Sequence, residues 1–220
     1  YEPLESAQAM PSGRGPGTMA SDIYALGVTV LTLLSGTDPR DQWDDDELNV
    51  ARLTQGSITA LVGNLRFPPA ILELLRGTLS DDPEQRWDLD EIDGWTRGRR
   101  GLTKRVVLSR RAVQPLMFNG RGYTYDLELV HAFVRNPVEA QVLIRAPEFE
   151  EWVRVGLQDT TLAQRFSEIV ARARLGTKGG PAPANLITRV ANLIHPQGPL
   201  RHGRIALTPA GIGPIFSDAF

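Results

Sequence analysis

One long apolar run, residues 21–36, constrains the fold of this chain more than any other stretch. The run reads SDIYALGVTVLTLLSG, and two threonines are the only polar residues in its interior. Ser21 and Asp22 can accept hydrogen bonds from the first-turn amides, and Gly36 can adopt the left-handed conformation that ends a helix. Because a helix on a protein surface normally carries a wide polar face, this run predicts a helix that is buried on all sides.

A membrane span is the alternative interpretation of the same run. About 14 helical residues reach only about 21 Å, whereas the hydrocarbon core of a bilayer is about 30 Å thick. We therefore expect a core helix and no membrane partner. The chain also contains no cysteine, which excludes disulfides and thiolate chemistry and is typical of a cytoplasmic protein.

Three short motifs follow one another within residues 1–98: YEPLE at 1–5, SDIYALG at 21–27 and DPEQR at 82–86. In this order they resemble the Ala-Pro-Glu motif, the start of the central helix (αF) and the Asp-Pro-x-x-Arg segment of the large lobe of eukaryotic-type protein kinases. Glu2 replaces the Ala of the first motif, while Glu5 keeps the position of its Glu. The resemblance implies a mainly α fold, with a kinase-like large-lobe remnant from αF to αI.

The resemblance also implies roles for individual residues. Glu5 and Arg86 would form a buried ion pair, since a guanidinium can hold a carboxylate through two parallel bonds and neither charge tolerates burial alone. Asp22 would brace the backbone of the kinase catalytic loop. The possible substrate-side surface consists of Tyr1, Glu2, Asp44 and Asp45.

The motifs that carry kinase chemistry do not occur in this sequence. They are the Gly-rich loop, the strand Lys, the catalytic-loop Asp and Asn, and the D-F-G segment. All of them precede the Ala-Pro-Glu position in the family. We therefore expect no catalytic, cofactor or metal residues in this chain, with Mg-ATP bound by the parent protein if that protein is active. We also expect the chain to be part of a longer polypeptide, whose upstream part would cover the central helix.

Local signals predict the other helices of residues 1–98. The acidic run at 44–47 suits the first turn of a helix, although consecutive carboxylates on a helix point in different directions and do not form a metal site. Pro68 and Pro69 introduce another helix. Asp88 and Glu91 form a capping-box pattern that opens a helix ending near residue 97.

Residues 96–111 carry seven basic side chains in sixteen positions, and we interpret 99–111 as a basic linker. Nucleic-acid binding is the less favoured alternative, because aliphatic rather than aromatic residues separate the basic ones. The acidic residues of 1–98 are an alternative partner for this basic segment within the same chain. Residues 1–98 hold 17 acidic and 7 basic residues, whereas 99–220 hold 9 and 17.

Residues 112–220 are predicted to form an accessory α-helical domain with one N-terminal β-hairpin, turning at Asn119–Gly120. Phe149 and Trp152 are expected in its core, and its histidines show no metal-ligand spacing. This region is loosely similar to accessory regions of bacterial kinase-like proteins. Predicted helices lie at 126–135, 138–145, 147–157, 160–175 and 185–194.

The preferred hypothesis is the C-terminal part of a bacterial-type Ser/Thr protein kinase. The parent reaction would be phosphoryl transfer from Mg-ATP to protein Ser or Thr. This chain would supply the substrate-lobe scaffold and a partner-binding accessory domain for a protein substrate or regulatory protein. The alternative is a pseudokinase scaffold without catalysis.

Overall fold

The computed structural model describes residues 2–38, 41, 43–101, 109–175, 183–202 and 205–217. The fold is mainly helical, which confirms the predicted class, and it contains a small β-hairpin. The chain divides into two compact units. The first combines Tyr1–Leu108 with Leu207–Phe220, and the second is Ser109–Ala206. Within the described residues, no helix has both the length and the apolarity needed to cross a bilayer.

The first unit contains seven of the helices in the described part of the chain, together with a 3-10 turn at Pro11–Gly13. They are α1 (Leu4–Ala7), α2 (Met19–Ser35), α3 (Asp45–Gln55), α4 (Ser57–Val62), α5 (Pro69–Thr78), α6 (Leu89–Thr96) and, from the C-terminal end of the chain, α12 (Pro209–Ser217).

Helix α2 forms the centre of the first unit's core. Its Tyr24, Val28 and Leu31 recur at i, i+4 and i+7 and are almost completely buried. They pack with apolar side chains from α3, α4 and α5 and from the residue after α5. The helix ends at Gly36, whose φ of 71° confirms the predicted left-handed cap.

Two predictions for α2 are wrong. The helix begins at Met19 rather than at Ser21, because Thr18 accepts the hydrogen bond of the Ser21 amide and acts as the N-cap. The helix is also not buried on all sides. Leu33 is 77% exposed, and Met19, Leu26 and Leu34 are exposed as well. Within the described residues, α2 therefore buries one face and leaves an apolar face open to solvent.

Two glycines allow unusually close packing in this unit. A Cβ atom on Gly27 of α2 would lie 2.3 Å from the Thr78 Oγ1 of α5, so the backbone of α2 packs directly against the Thr78 side chain. A Cβ atom on Gly77 would lie 2.2 Å from the buried ring of Trp87. The Trp87 amide also donates to the Gly77 carbonyl at 3.0 Å. Both contacts require the absence of a side chain.

Asp88 caps α6 as the sequence predicts, whereas Asp44, expected in the first turn of a helix, precedes α3 and caps it. The Asp44 carboxylate accepts from the amides of Asp46 and Glu47, both at 2.8 Å. Asp88 and Glu91 form a reciprocal capping box at the start of α6.

The second unit begins with the predicted hairpin and continues with helices. Asn119 and Gly120, with φ values of 49° and 77°, form the turn that suits the twist of a two-residue hairpin. The elements are β1 (Arg111–Phe118), β2 (Arg121–Tyr125), α7 (Asp126–Arg135), α8 (Pro137–Arg145), α9 (Pro147–Glu151), a π-helical turn (Trp152–Gly156), α10 (Thr160–Leu175), α11 (Pro183–Ile194), β3 (Leu200–His202) and β4 (Ile205–Leu207), the last crossing the unit boundary.

An aromatic cluster forms the centre of the second unit's core. Phe149 is completely buried, and its ring centroid lies 5.5 Å from that of Phe133 and 4.8 Å from that of Phe166. Trp152 stacks on Phe149 and donates from its indole N–H to the Gln114 carbonyl at 2.9 Å. The expectation that Phe149 and Trp152 are core residues is confirmed.

The structure differs from the sequence prediction near the end of the chain. Helix α11 begins at Pro183 instead of Asn185, and β3 pairs with β4 in a second small sheet that the sequence did not predict. Residues from 207 onward belong with the first unit, whereas the predicted accessory domain extended over 112–220. The physical reason is a set of backbone contacts between this end of the chain and residues 13–15.

Replacing Gly77 with Ala is expected to lower the free energy of unfolding by about 1–3 kcal/mol, since the new methyl group would overlap the buried Trp87 ring. Gly17→Ala is the matched control, because a Cβ atom there has no neighbour within 4 Å. Equilibrium urea unfolding measures both variants. Equal stabilities would contradict the packing described.

Candidate functional site

The structure brings Glu5 and Arg86 together in the bidentate geometry that the family resemblance implies for them. Arg86 donates from Nη1 to Glu5 Oε1 at 3.0 Å and from Nη2 to Oε2 at 3.3 Å. The Arg86 side chain has no exposed surface, whereas 18% of the Glu5 side chain is exposed. Two parallel charge-assisted bonds thus join residues that are 81 positions apart.

Arg86 also binds two backbone carbonyls. Its Nε donates to Ser80 O at 2.9 Å, and its Nη1 donates to Ala20 O at 2.9 Å. One guanidinium therefore connects α1, the first turn of α2 and the loop that follows α5. This arrangement satisfies the buried charge on several sides, as a charge removed from water requires.

Tyr24 lies next to this pair and contacts a second arginine. The Cζ atom of Arg86 lies 5.1 Å from the centre of the Tyr24 ring, and the Cζ of Arg52 lies 5.5 Å from it. These distances are typical of cation–π contacts. Burial raises the pKa of Tyr24 above its ordinary value, although the positive charge of Arg52 acts in the opposite direction.

A hydrogen-bond network that the sequence analysis missed extends from Arg52. Arg52 Nε donates to Ser57 Oγ at 2.9 Å, and Ser57 donates from both its amide and its hydroxyl to Asp81. Arg52 also donates to the Glu2 carbonyl at 3.1 Å. Burial raises the pKa of Asp81, while the hydrogen bonds from Ser57 and the charge of Arg52 oppose the shift. The sequence signal that could have drawn attention to Ser57 is its position, since it directly follows a glycine and begins α4.

The residues of the predicted substrate-side surface do not form a shared cluster among the described contacts. Tyr1 lies outside the described residues. Glu2 pairs with Arg14, and the Asp44 carboxylate is used to cap α3. Asp45 is exposed in the first turn of the same helix.

Asp22, the predicted catalytic-loop brace, lies exposed in the first turn of α2. It lies one helical turn before Leu26, on the exposed apolar face of the helix. No described residue makes a side-chain hydrogen bond to it. Within the described part of the chain, no group of three or more acidic or histidine side chains is placed to hold a metal ion.

The second unit has its own arginine-centred network. Arg110 donates to Asp126 from its amide at 3.0 Å and from Nε at 2.7 Å. Its two remaining guanidinium nitrogens donate to Asp159 at 2.7 Å and to the Ile194 carbonyl at 3.2 Å. Arg110 thus connects the starts of β1, α7 and α10 with the end of α11.

Other arginines of the basic segment also have partners within the chain. Arg97 pairs with Asp93 at 3.0 Å, and Arg100 lies 5.3 Å from the centre of the Trp95 ring and donates to the Trp95 carbonyl. Residues 102–108 of the predicted linker lie outside the described residues. The described Arg97 and Arg100 therefore have contacts within the chain.

Comparison with protein-family models, with curated proteins and with solved structures gives no match.

Arg86→Leu is expected to destabilise the first unit by about 3–5 kcal/mol, because Glu5 and two carbonyls lose their buried partner. Arg97→Leu serves as the matched control. It removes an exposed pair and should change the free energy of unfolding by less than about 1 kcal/mol. Chemical denaturation of both variants measures the difference, and a loss below about 1 kcal/mol for Arg86→Leu would exclude a structural role for the pair.

His195 predicts a pH dependence of the second unit. Burial lowers the pKa of His195 from 6.5 to about 4, partly offset by the Asp126 charge. The unfolded chain therefore binds a proton between these pH values while the folded chain does not. The stability contributed by neutral His195 is fully present above pH 6.5 and is lost as the pH falls through about 4. The free energy of unfolding falls by at most about 3 kcal/mol over this range.

Urea unfolding between pH 4 and 7 measures this effect. His195→Gln should flatten the pH profile, whereas the same change at the exposed His202 should leave it as in the wild type. Identical profiles for the wild type and His195→Gln would show that the imidazole is freely protonated in the folded protein.

Proposed function

We propose that the first unit is the substrate-side scaffold of a protein related to Ser/Thr protein kinases. The observation that carries this proposal is the buried Glu5–Arg86 pair beside Tyr24. Each of these residues comes from a different one of the three kinase-like motifs. The motifs therefore meet at one point in space, which sequence order alone does not require.

The pair would hold the substrate-side segment at a fixed position relative to the central helix. Arg86 binds Glu5 of α1 and the Ala20 carbonyl of α2 at once. A segment anchored in this way loses little conformational entropy when a protein substrate binds to it.

The open face of α2 supports the same proposal. Met19, Leu26 and Leu33 follow one another at intervals of seven residues, and all three are exposed. Asp22 lies at the N-terminal end of this face. Exposed apolar surface of this kind typically marks a contact with another protein segment. In the resembled family, this helix faces the elements that carry the catalytic loop, and we assign the exposed face to that contact.

The chemistry itself would belong to residues outside this chain. Phosphoryl transfer requires groups that position Mg-ATP and the attacking hydroxyl, and the 220 residues contain none of the corresponding motifs. The chain would supply the scaffold, and the second unit would recruit a protein substrate or a regulatory protein. The exposed Val113 and Met117 on the outer face of β1 are available for such a contact.

A polypeptide that extends this chain with the kinase segment of the proposed parent tests the proposed activity. Transfer of labelled γ-phosphate to a mixed Ser/Thr protein substrate is expected from the extended protein and not from the 220-residue chain. Binding of a substrate protein without transfer would favour the pseudokinase scaffold. Failure of the extended protein both to transfer phosphate and to bind a substrate protein would contradict the proposal.

Leu33→Glu tests the assigned contact surface directly. Leu33 is exposed, so the variant 220-residue chain should unfold at the same urea concentration as the wild type. Its affinity for the separately produced upstream segment should nevertheless fall at least about 10-fold, because a charge would be buried at the contact. Val113→Glu, an equally exposed position in the second unit, is the control. If calorimetric titration gave equal affinities for both variants, the exposed face of α2 would not be the contact surface for the upstream segment.

A further inference from the structure

Residues 207–217, which we call the closing segment, belong to the first unit and contact its loop at residues 13–15 mainly through backbone atoms. The Thr208 amide donates to the Gly13 carbonyl at 2.8 Å, and the Thr208 hydroxyl donates to the Arg14 carbonyl at 2.8 Å. These bonds bridge almost the whole length of the chain. Both bonds use backbone carbonyls of a loop as acceptors.

Glycines make this contact close and selective. A Cβ atom on Gly211 would lie 2.0 Å from the Gly13 carbonyl oxygen, a distance that no side chain tolerates. On the other side of the contact, Gly15 has a φ of 70°, and a Cβ atom there would lie 2.5 Å from the Ala210 backbone. Only a segment with glycine at position 211 can approach the loop at 13–15 this closely.

The closing segment presents a preformed shape to the loop. Thr208 is the residue before α12, and its hydroxyl accepts from the Gly211 amide at 3.1 Å. Pro209 occupies the first position of the helix, where its fixed φ is favourable. The sequence Thr-Pro-Ala-Gly thus encodes a short helical start whose glycine faces the loop.

The contact lies apart from the core of the first unit. Among the residues whose burial is described, the core cluster around Tyr24, Val28 and Leu31 contains none from the closing segment. Pro209, Ala210 and Gly213 remain exposed. Loss of the contact would expose the carbonyls of residues 13 and 14 to water.

We propose that the loop at residues 13–15 is a peptide-docking surface and that Thr208–Gly211 of the same chain occupies it as a reversible intramolecular ligand. The surface recognises a helical start with threonine at its N-cap and glycine three positions later. Occupation in cis keeps the surface closed to similar segments of other proteins, because a tethered segment competes at a high effective concentration. The proposal does not depend on the kinase assignment.

Amide hydrogen exchange of the full chain tests the contact. In Gly211→Ala, the Thr208 amide should exchange at least about 10-fold faster than in the wild type, because the new methyl group separates it from Gly13. Gly213→Ala is the matched control, since a Cβ atom there has no neighbour within 4 Å in the same helix. The amides of Val28 and Leu31 should exchange at wild-type rates in both variants.

A fluorescent peptide with the sequence of residues 207–217 tests the docking surface. Measured by anisotropy, it should bind full-length Gly211→Ala at least about 10-fold more tightly than the wild type, in which the chain's own segment competes. The same peptide carrying Gly211→Ala should not bind either protein.

Three results would overturn the proposal. One is unchanged Thr208 exchange in Gly211→Ala, and another is faster exchange at Val28 and Leu31, which would make the closing segment an integral part of the core. The third is a peptide that fails to bind Gly211→Ala or binds it and the wild type equally.

Discussion

The first unit depends on one requirement, the neutralisation of the buried Arg86 guanidinium. Leaving this charge unpaired would cost about 3–5 kcal/mol, a large part of the net stability of about 5–15 kcal/mol that is typical of a domain. The requirement fixes the position of Glu5 and of the Ala20 and Ser80 carbonyls relative to one another. Since these groups belong to three separate segments, satisfying one side chain also sets how α1, α2 and the loop after α5 are arranged.

Close backbone approach is the second constraint, and it acts where side chains are absent. Gly27 lets α2 reach Thr78, and Gly77 lets the Trp87 ring lie on α5. Each glycine lowers helix propensity, yet the contact it permits buries a neighbouring large or polar side chain. Hydrophobic burial alone would allow several arrangements of these elements. The glycine contacts and the Arg86 hydrogen bonds together select one of them.

Much of the helical framework could be predicted from the sequence because its signals are local. Asp44 and Asp88 mark helix starts, Gly36 marks a helix end, and Asn119–Gly120 marks the hairpin turn. The contact of Glu5 with Arg86 was expected only through a family resemblance, since no local rule connects residues so far apart.

The remaining features arise from tertiary contacts that a single sequence does not encode in a readable way. The exposed apolar face of α2 depends on which neighbours are present. The Ser57–Asp81 bonds depend on how α4 meets the loop before Trp87. The return of the chain to the first unit at residue 207 depends on backbone carbonyls, which have no sequence signature. This return also affects the order of events during synthesis, because Thr208 follows Gly13 by 195 residues. At ribosomal rates, roughly 10–40 s separate the appearance of the two, and throughout that interval the Gly13 carbonyl lacks its Thr208 partner.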